Sequence, residues 1–155
     1  MLSEKVKQQI QKAKGRYPHP QSALMPALDI VQREFGWLPS EALAEVGELL
    51  GLTPAEVLSV ASFYTLYHRR PVGKYLIQVC TNISCSLLGA EHLLEHLQRK
   101  LGIGPGETTP DGRFTLVEVE CLGSCGTAPV MQINDRYYEG LTVDKVDAIL
   151  AELAA

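Results

Sequence analysis

Four cysteines confined to one stretch of the chain limit what it can fold into more than any other feature. They are Cys80, Cys85, Cys121 and Cys125, and the first 79 residues contain none. We expect no export signal, because lysines interrupt every apolar run near the start. Thiols stay reduced in the cytosol, so disulfides are not expected. Cysteines gathered in this way predict one site with four ligands.

Each cysteine pair follows a predicted strand. Residues 75–79 form a short β-type run that ends on Cys80, and the alternating run 114–119 ends beside Cys121. Both pairs should therefore lie at the same end of one sheet. Cys80 and Cys85 also precede a predicted helix, whose positive end stabilises thiolates.

The second pair lies among small residues. Gly123 and Gly126 let the backbone curl closely around a ligand while presenting N–H groups. A [2Fe–2S] core held by four thiolates is a dianion when oxidised and a trianion when reduced, so it needs such donors.

The spacing alone leaves three kinds of site open: an iron–sulfur cluster, a structural zinc ion, and redox-active or unliganded thiols. The pattern is Cys80-x4-Cys85 followed by Cys121-x3-Cys125. A structural zinc ion also takes four cysteines, usually in C-x2-C pairs, although spacers of up to four residues occur. Redox-active or unliganded thiols are the third reading.

The first 70 residues read as helices separated by clear stops. Gly36 and Gly51 are candidate helix ends, and Ser40 is a candidate N-cap. Thr53 and Glu56 form a capping box. The predicted helices cover 2–13, 22–35, 40–50 and 53–67, and we expect their core to include the aromatic residues Phe63, Tyr64 and Tyr67.

The character of the sequence changes at Pro71-Val72-Gly73. Helical spacing returns at 87–101 and at 143–153, and the runs 130–133 and 136–138 resemble a hairpin that turns at Asn134. The order β-α-β-β-β-α predicts helices against a small sheet. We therefore expect an α+β protein with a helical bundle at 1–72 and a second domain at 73–155.

Charge and motif patterns exclude several functions. Residues 1–16 carry a net charge of +4 while the whole chain carries −4, which leaves an acidic remainder that suits nucleic acid poorly. No apolar run approaches the ~20 residues of a membrane span, so we expect a cytoplasmic protein. The glycines in 102–106 do not match a dinucleotide fingerprint, and His92 and His96 read as a solvated helix face rather than a metal site.

Five short stretches together resemble a known family. They are Ala61-Ser62-Phe63-Tyr64-Thr65, Pro71-Val72-Gly73-Lys74-Tyr75, Val79-Cys80-Thr81 through Cys85, Glu120-Cys121-Leu122-Gly123-Ser124-Cys125 and Ala128-Pro129. They resemble the small [2Fe–2S] subunit in the NADH-dehydrogenase module of respiratory complex I, over roughly residues 5–153. Related chains occur in NAD-linked hydrogenases and formate dehydrogenases.

The resemblance implies a fold, a cofactor and a role. The fold is a helical bundle followed by a thioredoxin-like ferredoxin domain, with Ala128–Pro129 at the place of a cis proline. Cys80 and Cys85 would hold one iron and Cys121 and Cys125 the other. Residues expected to tune the cluster are Thr81, Ser84, Gly123, Ser124 and Gly126.

The implied role is one-electron transfer within a larger complex. A partner subunit would bind NADH and FMN, and this chain would have no independent catalysis. The bundle, with its basic first helix, would dock that partner. If the complex is membrane-bound, the chain would sit on the cytoplasmic face of the inner membrane through its partners. The equivalent subunit of a hydrogenase or formate dehydrogenase is the alternative, and a structural zinc module with four cysteine ligands is the alternative of another class.

Overall fold

A computed structural model of the chain describes residues 2–154. The described residues form two compact units, the first ending at Pro71 and the second beginning at Val72. None of the helices in residues 2–154 combines the length and the apolar character needed to cross a bilayer.

The first unit contains four helices around one apolar core. They are α1 (Glu4–Lys14), α2 (Leu24–Phe35), α3 (Ser40–Leu50) and α4 (Pro54–Phe63). A 3₁₀ turn at Pro20–Ala23 leads into α2. Their apolar residues recur at helical spacing, and fully buried side chains such as Ile10, Leu28 and Val46 meet in the centre.

The helix ends predicted for this unit from local sequence signals are confirmed, with one exception. Gly36 and Gly51 adopt φ of 76° and 75°, a left-handed conformation that glycine adopts without strain, and they close α2 and α3 as predicted. Thr53 and Glu56 form the predicted capping box of α4. The prediction for Ser40 is wrong, because Pro39 occupies the N-cap in extended backbone and Ser40 is the first helical residue.

The aromatic segment after α4 differs from the prediction. The helix ends at Phe63 rather than near Tyr67, because Tyr64 turns to extended backbone. Tyr67 is buried as expected, and its hydroxyl donates to the carbonyl oxygen of Met25 at 3.1 Å. Burial, with the charge of Asp29, raises the pKa of Tyr67 to about 12. Phe63 and Tyr64, however, are 77% and 38% exposed, so the prediction that they belong to the core is wrong.

The second unit is a four-stranded mixed sheet with helices. Its elements are β1 (Tyr75–Cys80), α5 (Ile83–Leu87), α6 (Ala90–Leu101), β2 (Phe114–Val119), β3 (Met131–Ile133), β4 (Arg136–Tyr138) and α7 (Val143–Ala154). The strand order is β2-β1-β3-β4, with β1 parallel to β2 and the other pairs antiparallel. The predicted α+β class is confirmed. The helix predicted at 87–101 begins only at Ala90, because Gly89 occupies its N-cap with φ of 91°, and the short helix α5 before it was not predicted.

The core of this unit lies between the sheet and helices α6 and α7. Ile77, Leu116 and Met131 of the strands pack there with Leu97 and Val146 of the helices. On the same helices, Nε2 of His96 lies 2.8 Å from a carboxylate oxygen of Asp147. His92 is exposed, as expected of a solvated helix face, whereas His96 is half-buried against Asp147.

Candidate metal centre

Sheet topology gathers all four cysteines at one edge. Cys80 is the last residue of β1, and it pairs in register with Val119, the last residue of the parallel strand β2. Cys121 therefore begins its loop beside Cys80. Cys85 lies in α5, and Cys125 begins a 3₁₀ turn. All four are free thiols; Cys80 and Cys85 are buried, and Cys121 and Cys125 are exposed.

The four sulfur atoms belong to one interacting group. The thiols of Cys85 and Cys121 are within hydrogen-bonding reach of the Cys80 sulfur, and Cys85 is electrostatically coupled to Cys125. Yet no group of three or more His, Cys, Asp or Glu side chains in residues 2–154 converges as ligands of a single ion. A [2Fe–2S] cluster does not require that convergence, because it distributes four thiolates over two irons.

Backbone N–H groups point at three of the sulfurs. Cys80 accepts from the N–H groups of Asn82 and Leu122, and Cys85 accepts from that of Val130. The N–H of Gly123 donates to Cys121 at 3.3 Å. Donors aimed at sulfur are what an anionic cluster needs, so the residues present fit a [2Fe–2S] group.

Three of these donors were missed by the sequence reasoning. Asn82 carries a local signal, because asparagine is a preferred N-cap residue. Its side chain accepts from the N–H of Ile83 and caps α5, and its own N–H donates to Cys80. Leu122 and Val130 reach sulfurs that are distant in sequence. Their roles depend on strand pairing and have no local signature.

The two buried thiols differ in acidity. Burial raises the pKa of Cys80, but hydrogen bonds from Asn82, Leu122 and the neighbouring thiols outweigh it, so the pKa of Cys80 lies below its ordinary value. For Cys85, burial and the neighbouring Cys80 raise the pKa, and the N–H of Val130 only partly opposes them. The hydrogen bonds therefore favour the thiolate of Cys80.

The other residues expected near the cluster have mixed placements. The hydroxyl of Thr81 donates to the carboxylate of Glu118 at 2.7 Å, and that of Ser124 donates to Glu139, so both are satisfied by carboxylates. Ser84 is half-buried on α5. Gly123 has φ of 75°, and a Cβ at Gly126 would meet open space. Only Gly123 among them has a hydrogen bond to a cysteine sulfur in the described structure.

Strand β4 and the residues after it hold the second cysteine loop, which we define as residues 121–127. The hydroxyl of Tyr137 donates to the carbonyl oxygen of Leu122 at 2.8 Å. The hydroxyl of Thr127 donates to Glu139 at 2.5 Å. Hydrogen bonds from Ser124 and Thr127 hold the pKa of Glu139 below its ordinary value. Immediately after the loop, Ala128–Pro129 is cis, which confirms that prediction.

Helix α5 and the residue that follows it expose three large aliphatic side chains close in sequence to Cys85. Ile83, Leu87 and Leu88 are 71%, 80% and 61% exposed. Single exposed apolar residues are ordinary on protein surfaces, but a contiguous group is typical of interaction sites.

Together, the fold and the thiol site define a small iron–sulfur protein of the electron-transfer class. The chain belongs to the thioredoxin-like [2Fe–2S] ferredoxin family, whose model matches residues 10–154. The cofactor of this family, one [2Fe–2S] cluster, is therefore the cofactor of this chain. The resemblance stated from the sequence motifs is confirmed.

Curated relatives cover nearly the full chain. A subunit of the NADH-quinone oxidoreductase of Rhizobium meliloti is 49% identical over 150 residues, which are 97% of this chain and 89% of the relative. NADH-quinone oxidoreductase subunit 2 of Thermus thermophilus is 51% identical over 144 residues, 91% of this chain and 80% of the relative.

A solved structure shows the same fold in a different complex. The NAD⁺-reducing [NiFe]-hydrogenase in its air-oxidised state contains a similar region, with a TM-score of 0.73 and 29% identity. The match covers 84% of this chain but only 22% of the hydrogenase chain, so this protein corresponds to one part of that chain.

Proposed function

We propose that this chain is the [2Fe–2S] one-electron carrier of the NADH-oxidising module of an NADH–quinone oxidoreductase. The observation that carries the proposal is the group of four thiols at one sheet edge, three of which accept backbone N–H groups. The relatives that are 49% and 51% identical are subunits of that class of enzyme.

The cluster ligands in this proposal are the four cysteines. Cys80 and Cys85 hold one iron, and Cys121 and Cys125 hold the other. The bound cluster supplies a centre that accepts and releases a single electron. The chain's own part is to exclude water around Cys80 and Cys85, which are buried, and to present N–H donors to the sulfurs.

The partner in this proposal is a subunit that binds FMN and NADH. NADH delivers a hydride, which carries two electrons, and a flavin converts this into the single-electron steps that an iron–sulfur centre accepts. The chain therefore works only as a subunit of the oxidoreductase. We place it on the cytoplasmic side, held at the membrane through its partners.

Residues 1–72 serve as the docking region in this proposal, and residues 73–155 as the cluster domain. The support comes from the aromatic end of α4, where Phe63 is 77% exposed and Leu58 and Leu66 are also exposed. A large exposed apolar side chain favours contact with a partner.

The metal content tests the ligand assignment directly. Anaerobically purified protein should contain two irons and two acid-labile sulfides per chain, as expected for one [2Fe–2S] cluster. It should also give a paramagnetic resonance signal after reduction with dithionite. Changing each of the four cysteines to alanine in turn should remove most of the cluster. One zinc per chain without labile sulfide would instead support the alternative of a structural zinc site with four cysteine ligands.

An equivalent role in an NAD-linked hydrogenase is the second candidate, favoured by the hydrogenase structure with a TM-score of 0.73. The corresponding subunit of a formate dehydrogenase is the third candidate. These enzyme classes differ in what the module exchanges electrons with, not in this chain. Affinity purification of the intact complex from the source organism, followed by identification of its subunits, separates them.

A further inference from the structure

One peptide group in the second cysteine loop connects strand β4 to the sulfur of Cys121. Tyr137 donates to the carbonyl oxygen of Leu122 at 2.8 Å. The N–H of Gly123, at the other end of the same peptide group, donates to Cys121 Sγ at 3.3 Å. A trans peptide group is planar, with its C=O and N–H pointing in opposite directions. A hydrogen bond that fixes the oxygen therefore also fixes the direction of the N–H.

The other end of the loop is held by the same segment of chain. The hydroxyls of Ser124 and Thr127 both donate to the carboxylate of Glu139. The N–H of Gly140 donates to the carbonyl oxygen of Thr127 at 2.7 Å. Residues 137–140 thus bind the loop on both sides of Cys125, and the Leu122–Gly123 peptide has little freedom to rotate.

We propose that Tyr137 is a positioning residue that raises the reduction potential of the cluster by holding the Gly123 N–H on the sulfur of Cys121. The proposal rests on the proposed function, because it takes Cys121 as a cluster ligand. The hydroxyl of Tyr137 bonds the loop backbone rather than a sulfur. It acts through one peptide group, and its own ring is partly exposed to solvent.

The sign of the effect follows from electrostatics. Reduction adds one negative charge to the cluster, and an N–H directed at a ligand sulfur stabilises the more negative state more strongly. A hydrogen bond to the carbonyl oxygen polarises the peptide group and strengthens its N–H as a donor. Losing the Tyr137 hydroxyl should therefore disfavour reduction and lower the midpoint potential.

The test is a redox titration of full-length, cluster-loaded Tyr137→Phe, which keeps the ring and removes only the hydroxyl. We expect the one-electron equilibrium to shift roughly threefold toward the oxidised cluster, about 28 mV at 59 mV per factor of ten. Tyr138→Phe is the matched control, since this neighbour on β4 lies against the core with its ring beside Arg136. An unchanged potential in Tyr137→Phe, or an equal shift in both variants, would overturn the proposal.

A second measurement keeps the test decisive if the variant loads its cluster poorly. Pulsed paramagnetic resonance on the reduced cluster, with ¹⁵N-labelled glycine, reports the coupling of the Gly123 nitrogen to the cluster. We expect a weaker coupling in Tyr137→Phe than in the parent chain, and an equal coupling would refute the role of Tyr137. Failure of the proposed function looks different, because the parent chain itself would then contain no iron or labile sulfide.

Discussion

Single residues in the second cysteine loop differ in how tightly backbone geometry restricts them. Gly123 and Gly126 lie on either side of Cys125, and a Cβ at either glycine would meet nothing within 4 Å. Only Gly123 of the two has a positive φ, 75°. The two glycines therefore do not differ in the space around them. They differ in backbone conformation, because the left-handed conformation of Gly123 disfavours a side chain by roughly 1–2 kcal/mol.

Gly123→Ala should loosen the cluster, whereas Gly126→Ala should not. Alanine at position 123 pulls the backbone away from positive φ and moves the N–H that donates to Cys121. The measurement is the rate at which a strong chelator removes iron from the oxidised protein. We expect about tenfold faster release from Gly123→Ala, the factor that about 1.4 kcal/mol represents. Equal rates for the two variants would show that the backbone conformation at Gly123 is unimportant.

Helix ends in the first unit depend on side chains within a few residues of one another. In α4, the N–H of Glu56 donates to the Thr53 hydroxyl at 3.3 Å, and the N–H of Thr53 donates to the Glu56 carboxylate at 2.8 Å. The Thr53 N–H and hydroxyl, and the side chain of Gln21, hold the pKa of Glu56 below its ordinary value. The cap thus couples the start of the helix to the charge of Glu56.

Thr53→Ala should destabilise the start of α4 by about 1 kcal/mol at neutral pH, the usual cost of losing an N-cap side chain. Amide hydrogen exchange in α4 should then be about fivefold faster. Ser62→Ala is the control, because its hydroxyl bonds the carbonyl of Ser59 within the helix and alanine favours helix there. Equal exchange in Thr53→Ala and the parent chain would contradict the role of the cap.

The pH dependence of this cap has a definite sign. A carboxyl group whose pKa is lowered on folding stabilises the folded state above its ordinary pKa, which is 4.5 for a glutamate such as Glu56. That contribution is lost as the pH falls through the lowered pKa. The difference in exchange between Thr53→Ala and the parent chain should therefore shrink in acid, after correction for the intrinsic rate. A difference that grows in acid would mean that Glu56 is not the charged partner.

At the scale of the whole molecule, Phe63 at the end of α4 lies outside the apolar core that the described residues of its unit form. Phe63 contacts the ring of Tyr64 edge-on at 5.0 Å and is otherwise largely in solvent. Its exposure is what the proposed docking region would require, because hydrophobic contact with a partner compensates for it.

Phe63→Ser should weaken assembly with the flavin-containing partner without weakening the fold of the chain. The side chain is already exposed, so little burial within the chain is lost. Co-purification of tagged full-length protein with the partner is the measurement, and Tyr17→Ser, at another exposed aromatic residue of the same unit, is the control. Undiminished recovery of the partner by Phe63→Ser would show that docking uses another surface.

NADH alone should leave the cluster of the isolated full-length protein oxidised, and adding the flavin-containing partner should allow NADH to reduce it. The reason is that the flavin converts a two-electron hydride into single electrons. An anaerobic titration followed by visible absorbance provides the measurement, with dithionite as the control for a reducible cluster. Bleaching by NADH without the partner would place the substrate site on this chain.

Local signals in the sequence were enough to predict the α+β class, most element positions and the four candidate ligands. Helix stops such as Gly51 and the capping box at Thr53 act within a few residues, so the folded chain is not needed to find them. The exposure of Phe63 was not predicted, because aromatic residues near the end of a helix usually indicate a core. The buried residues of α4 are Val57 and Ala61, and Phe63, two residues beyond Ala61, lies on a different face of the helix.

The surroundings of the sulfurs, by contrast, depend on how distant segments pair. The parallel pairing of β2 with β1 places Leu122 beside Cys80. The antiparallel pairing of β3 with β1 places Val130, the residue before β3, beside Cys85. Tyr137 reaches the second cysteine loop across a sequence separation of 15 residues. Backbone N–H groups are the same in every residue except proline, so the sequence carries no mark that Leu122 and Val130 will face a sulfur. Strand order and register make that choice.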